Sequence, residues 1–390
     1  MLAPTLAPSS LLGMLWFATL LVVATASRDD VAMLQQPRKD MEPSGLQMTQ
    51  ADSLENMALG PLMLKVKEEC LSSTQQCLPA LIEARHRVWP YVQAELGKEI
   101  KPYEPSSFTA DFASAWLKDE VCHGKTFFLL HVWKAVGWGA IRNLQQLVGG
   151  NVKRHNRRGW RGDLHPYDCQ NVSHPSTFTF VRNPLTRFIS GYAQLEQLRE
   201  QHYHQDAIDH RKNFPPNPVL NFLTGKPGSV ERAMQFLDRF FVDGVLHDGH
   251  VRPQSEYFVK PYGNKCLLAV DFVGKMENVV GDWKRFLDSQ QCHVTTQFNL
   301  TAGRHNSSSD TKHALADAAG IVGAASIVEL QAGAQQSMER ALHLQGTYLR
   351  ALCWLYLVDY VMFRYDLPRG CNHPDMLHIA QLSNISVSDS

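Results

Sequence analysis

Two short apolar runs, each closed by a turn and followed by a helical stripe, constrain this chain more than any other feature. Thr126 to Val132 (TFFLLHV) is continuous and rich in β-formers; glycines follow, then Ile141, Leu144, Leu147 and Val148 at helical spacing. A strand without polar alternation is one covered on both faces, as in a parallel sheet between layers of helices. Thr177 to Val181 (TFTFV) opens a second unit. Arg182-Asn183-Pro184 reads as a turn with proline at a helix start, and Leu185, Phe188, Ile189, Tyr192 and Leu195 mark one helix face. A third strand is expected at Cys266 to Val273, before Gly274 and an amphipathic helix from Asn278 to about Ser289. A long helical pattern runs from about Glu329 to Asp366. Strands alternating with helices predict an α/β fold: a central, mainly parallel sheet flanked by helices, with a P-loop-like phosphate-binding turn. The ligand site of such a sheet lies at the carboxyl ends of its strands.

Charge removes one class of function. Lys plus Arg and Asp plus Glu both total 38, so the 390-residue chain has no cationic surplus with which to coat a phosphate backbone. No nucleic-acid partner is expected. Hydrophobic residues make up 44% of the chain, too many for a mostly disordered one.

The amino terminus points to a membrane. Leu11 to Ala26 is an uncharged apolar run, shorter than the roughly 20 residues that span a bilayer comfortably. It reads either as a signal peptide cleaved after Ala26 or, extended towards Leu2, as a type II signal-anchor. Four sequons begin at Asn171, Asn299, Asn306 and Asn384, and eight cysteines without paired CxxC spacing favour disulfides over a metal. Cys70 with Cys77 would close a small loop, and Cys266 with Cys292 a larger one. The resulting organisation is a signal or anchor at 1–27, a stalk at 28–52, a helical stem at 53–120, a catalytic domain at 121–370 and a tail at 371–390.

The chemistry concentrates where the two strands end. In His131-Val132-Trp133-Lys134-Ala135-Val136-Gly137-Trp138-Gly139 a lysine stands just past a strand, glycines permit close backbone approach, and a helix start offers free N–H groups. It is not a Walker A loop, since GxxxxGK[ST] is absent, which argues against a nucleotide-dependent kinase. In the second unit Arg182 stands at a strand end and Ser190 lies eight residues on, a guanidinium and a hydroxyl able to grip a second phosphate. Arg187 either assists or is a solvated helix charge. Two anion sites on adjacent units describe a ligand with phosphates at two ends.

The segment Arg182 to Tyr192, of the form R-x-P-x-x-R-x-x-S-x-Y, closely resembles the 3′-phosphate motif of Golgi carbohydrate sulfotransferases. HVWKAVGWGAI is similar to their 5′-phosphosulfate loop, His250-Val251-Arg252-Pro253-Gln254 to their H-x-x-P-Q segment, and Asp271 to Asn278 (DFVGKMEN) to their D-F-[IV]-G-[KR]-x-E-N. The ending Asp359-Tyr360 to Tyr365-Asp366 is also similar. The resemblance implies the PAPS sulfotransferase fold and transfer of a sulfuryl group from 3′-phosphoadenosine 5′-phosphosulfate (PAPS) to a hydroxyl of a glycan, in the Golgi membrane or lumen or after secretion. Lys134 would neutralise charge on the leaving oxygen, and backbone N–H groups of Ala135, Val136, Gly137, Trp138, Gly139 and Ala140 would hold the 5′-phosphate. Arg182 and Ser190, with Arg187, would hold the 3′-phosphate.

An acceptor hydroxyl needs a general base, and His250 is the candidate, with His247 and His131 as rivals. His202, His204 and His210 lack a completing carboxylate pattern, and no metal is expected. Lys153, Arg154, Arg157, Arg158 and Arg161 form a basic stretch that is either an anionic-polysaccharide surface or a solvated loop. The chain departs from the motif at Trp133, which replaces proline, and at Ala135, Trp138 and Gly139, which replace hydroxyl residues. Those losses make a catalytically weakened glycan- or nucleotide-binding relative the alternative reading.

Overall fold

Thr126–His131 (β2) is buried along its whole length because both its faces meet core. Phe127 and Leu129 enter one apolar cluster and Leu130 the other, as a period of two dictates. β2 lies between two neighbours. Pro175–Val181 (β4) runs parallel to it, and Asp111–Trp116 (β1) antiparallel. Beyond β1 lies Lys153–His155 (β3), antiparallel to β1, and beyond β4 lies Phe272–Lys275 (β5), parallel to it. The order is β3-β1-β2-β4-β5, with only β1 running against the rest, so the sheet is mainly parallel. This computed structural model describes residues 57–72, 76–102, 111–116, 122–148, 153–155, 175–208, 222–242, 248–259, 270–293, 298–299 and 324–388.

One face of the sheet is covered by Gly137–Val148 (α3) and Val279–Ser289 (α6) through an aromatic core. Phe178 of β4 stacks on Phe286 with ring centroids 4.3 Å apart, and Phe127 meets the same ring at 4.9 Å. The other face carries Pro184–Ile208 (α4), Val230–Phe240 (α5), Ala324–Leu344 (α7), Gly346–Leu355 (α8) and Leu357–Phe363 (α9). Leu59–Leu71 (α1) and Cys77–Leu96 (α2) belong to this same core: Leu62, Val66, Leu81 and Val88 are buried in it, and α2 packs along α8. Pro374–Leu382 (α10) closes the chain against α1.

Four sequence expectations need correction. The third strand is Phe272–Lys275, ending two residues later than expected; positions 260–269 lie outside the described residues. The stretch read as a helical stem contains β1, whose backbone pairs with β2 from Asp111↔His131 to Trp116↔Thr126. The long carboxy-terminal helix is three helices, because Gln345 (φ −123°, ψ 73°) leaves the helical region and Tyr356 ends α8. Cys292 pairs with Cys122, not Cys266. The turn after α6 returns to the start of β2, where Lys125 Nζ donates to the Gln290 carbonyl at 2.9 Å, and this brings Cys122 alongside.

Cys70–Cys77 forms as expected, and Cys353–Cys371 is a third disulfide. Among the described residues no helix is long and apolar enough to cross a membrane. The apolar run 11–26, the stalk, Cys169, Cys266, Arg157, Arg158, Arg161, His210, His247, Asn171 and Asn306 lie outside those residues. Asn299 and Asn384 are exposed.

Candidate active site

The site forms where β2 and β4 end. After β2 the chain turns sharply, and two residues adopt left-handed backbone: Lys134 (φ +66°) and Val136 (φ +61°). A β-branched residue there costs of order 1–3 kcal/mol and persists only where neighbours enforce it. The left-handed positions thus fall on Lys134 and Val136, ahead of the two glycines. Ala135 spends its N–H on the Val132 carbonyl (3.3 Å), and Ala140 spends its own on Val136 (2.9 Å) as the first bond of α3. Helix geometry leaves the N–H groups of Val136, Gly137, Trp138 and Gly139 without intrahelical partners, a narrower set than 135–140.

Arg187 enforces this turn. It is fully buried, and it donates from Nε to the Trp133 carbonyl (2.9 Å), from Nη1 to Arg252 (2.5 Å) and from Nη2 to Gly249 (2.8 Å). Its guanidinium ties the lysine turn to the 249–252 segment. It does not face solvent, and three of its five N–H donors are taken by backbone carbonyls.

Residues 187, 190, 191 and 194 share one stripe of α4. Gln194 Oε1 accepts a 3.0 Å hydrogen bond from Lys134 Nζ, so Ser190, between Arg187 and Gln194, is directed at the same turn. Ser190 is 8% exposed. Gly191 faces the 249–252 segment: a Cβ there would stand 2.2 Å from the His250 carbonyl oxygen.

Lys134 is a perturbed cation. Burial, with the positive charges of Arg182 and Arg187, lowers its pKa to about 8. Its hydrogen-bond partner is a neutral amide. Burial also lowers Arg182, against the pull of Glu277. Arg182 is held by its backbone: its N–H donates to Gln254 Oε1 (2.9 Å), and Gln254 Nε2 donates to its carbonyl (2.7 Å).

The other familiar segments hold this frame. Buried Asp359 accepts from the N–H groups of Gln254 (2.6 Å) and Ser255 (2.8 Å), capping the short 3-10 helix Gln254–Phe258. Glu277 accepts from the Asn183 N–H (2.8 Å) and from the Tyr365 hydroxyl (2.8 Å), joining β4 and β5 beyond their ends.

His250 lies beside the lysine turn, its ring edge-on to Trp133 at 4.6 Å, while a Cβ on Gly249 would meet the Trp133 indole at 2.9 Å. His131 is buried at the end of β2. His202 and His204 lie on α4, and among the described residues no group of His, Cys, Asp and Glu converges as a metal site would. Lys153 and Arg154 lie on β3, on the far edge of the sheet from β4.

Gln194 and Asp248 were missed in the sequence. Gln194 stands one helical turn beyond Ser190, and Asp248 precedes His250 by two residues, where Asp248 Oδ1 lies 2.7 Å from His250 Nδ1.

The curated proteins and solved structures compared with this chain give no match. The model of the sulfotransferase family matches residues 121–366, well over half of the chain and all of the frame just described. A lysine turn and an arginine strand end, on adjacent parallel strands and short of countercharge, therefore sit in a chain that belongs to the sulfotransferase family, whose chemistry is sulfuryl transfer.

Proposed function

We propose that this protein transfers the sulfuryl group of PAPS to a hydroxyl of a glycan in the lumen of the secretory pathway, the Golgi being the expected compartment. The observation that carries the reading is the charge imbalance at Lys134. Its ammonium is desolvated, repelled by Arg182 and Arg187, and hydrogen-bonded to a neutral amide. An anionic donor satisfies all three conditions.

PAPS supplies an activated sulfuryl group on a 5′-phosphate and a 3′-phosphate at its other end. The N–H groups of Val136 to Gly139 hold the first phosphate, aided by the positive end of α3. Hydroxyl side chains missing from this turn are thereby replaced by backbone donors. Arg182 and Ser190 hold the 3′-phosphate. Lys134 opposes the charge that grows on the leaving oxygen, and His250 takes the acceptor's proton. Arg187 is a positioning residue, because its donors are bound to three backbone carbonyls. Three disulfides among the described residues and the exposed sequon residues Asn299 and Asn384 support an oxidising, secretory compartment.

The test pairs binding with turnover. Thermal stabilisation by 3′,5′-ADP, and not by ATP with magnesium, is expected. So is transfer of labelled sulfate from PAPS to one member of a glycan panel, abolished by Lys134→Ala. Stabilisation by ATP alone would sink the reading. Donor-product binding with no turnover on any glycan would leave a donor-binding relative without the activity.

A further inference from the structure

His250 is not a freely turning imidazole. One carboxylate oxygen, Oδ1 of Asp248, lies 2.8 Å from the His250 backbone N–H and 2.7 Å from its ring Nδ1. Burial pushes the Asp248 carboxyl up, but the side-chain and backbone hydrogen bonds from His250, with the positive charge of Arg252, outweigh this and hold it below the usual range. An ionised carboxylate only accepts, so Nδ1 must carry the proton of that bond. In the neutral ring this leaves Nε2 as the lone-pair nitrogen.

The ring is fixed from two further directions. Trp133, the residue before Lys134, meets it edge-on, and α4 approaches its backbone so closely that only glycine fits at position 191. Arg187 binds the carbonyls on both sides, at Gly249 and Arg252, and the Tyr257 hydroxyl adds a bond to Gly249 at 2.6 Å. Backbone, tautomer and ring plane are all specified beside the catalytic lysine.

We infer that Asp248 is a positioning residue for the transfer reaction: it holds His250 as the Nδ1–H tautomer and stabilises the imidazolium formed when Nε2 accepts the acceptor's proton. The inference rests on His250 being the general base. As the acceptor O–H proton passes to Nε2, the acceptor oxygen bonds to sulfur and the bond from sulfur to the 5′-phosphate oxygen breaks, leaving 3′,5′-ADP and a sulfate ester. The imidazolium then returns its proton to solvent.

A merely structural Asp248 and a tautomer-setting one differ in what Asp248→Asn does. Asn keeps an oxygen for the backbone N–H but removes the charge. Without the carboxylate the ring loses the acceptor that fixes its tautomer and the negative charge that supports the cation formed on proton transfer. kcat should therefore fall about 10²-fold while KM for PAPS stays near the wild-type value, a split that a merely structural change would not produce. Stabilisation by 3′,5′-ADP should persist, as a check on folding. Adding the change to His250→Gln should cost nothing further, because the two act as one unit.

Wild-type kcat in Asp248→Asn, or an additive loss in the double variant, overturns the positioning role while leaving His250 as base. Wild-type kcat in His250→Gln overturns the general-base reading itself. The single and double variants thus separate the two failures.

Discussion

The side chain of Lys134 reaches across to α4 and donates its hydrogen bond to Gln194, one turn beyond Ser190. An amide oxygen orients an ammonium without neutralising it, so the charge stays available to an incoming anion. A carboxylate at 194 would pair with the lysine and repel that anion.

The lowered pKa of Lys134 gives a pH dependence of definite sign. The free protein loses this proton as pH rises through about 8, whereas a bound anion favours the ammonium. Binding of 3′,5′-ADP then takes up a proton above that pH. Affinity should be flat to about pH 8 and fall by up to tenfold per unit above it, about 1.4 kcal/mol. Calorimetry from pH 7 to 9.5 checks this, and an unchanged affinity at pH 9.5 rejects it.

Arg187→Lys should be almost as damaging as Arg187→Ala. One ammonium cannot replace a fork that reaches carbonyls on two segments, although Gly249 keeps the Tyr257 hydroxyl as a second donor, and a buried hydrogen bond lost to a carbonyl costs about 1–3 kcal/mol. Urea denaturation should show a loss of about 3 kcal/mol or more, together with loss of 3′,5′-ADP binding. A variant within about 1 kcal/mol of wild type would show the clamp to be dispensable.

Gly191→Ala should act on the base through packing. The new methyl would stand 2.2 Å from the His250 carbonyl oxygen, so α4 and the 249–252 segment must separate. Overpacking of this kind costs about 1–3 kcal/mol. Turnover should fall more steeply than 3′,5′-ADP affinity, which kcat and binding measurements on the same preparation resolve; equal losses in both would contradict the placement.

Cys122→Ser should cost about 2–5 kcal/mol, because the bond to Cys292 joins residues 170 apart in sequence. A reductant should lower the melting temperature of the wild type by more than that of this variant. Identical shifts would show that this disulfide contributes nothing.

The legible part of the sequence was the part governed by local pattern. TFFLLHV and TFTFV announced buried strands because both faces of a central strand are apolar, and Pro184 marked the start of α4 because proline is tolerated in a first turn. Asp111–Trp116 was missed, since a short antiparallel strand depends on partners far along the chain, including His155 at position 112. Lys134 and Arg182 were placed just past strand ends from the pattern alone, and the structure has them there. Arg187 and Gln194 could not be given directions from spacing alone: the same stripe of α4 would serve solvent, ligand or loop until the 249–252 segment is seen against it. Cys122 found Cys292 only because α6 turns back to β2, a fact of layering.

α4 also acts as a ruler. Arg187 anchors the lysine turn, Gly191 seats the histidine segment and Gln194 takes the lysine itself, all within eight residues of one rod. A helix advances 1.5 Å and turns 100° per residue, and it cannot be stretched. The gap between the lysine turn and the histidine segment is therefore graduated in helical pitch. Either side chain tolerates individual variation better than the rod tolerates one inserted or deleted residue, which would swing lysine and histidine to different sides of the helix.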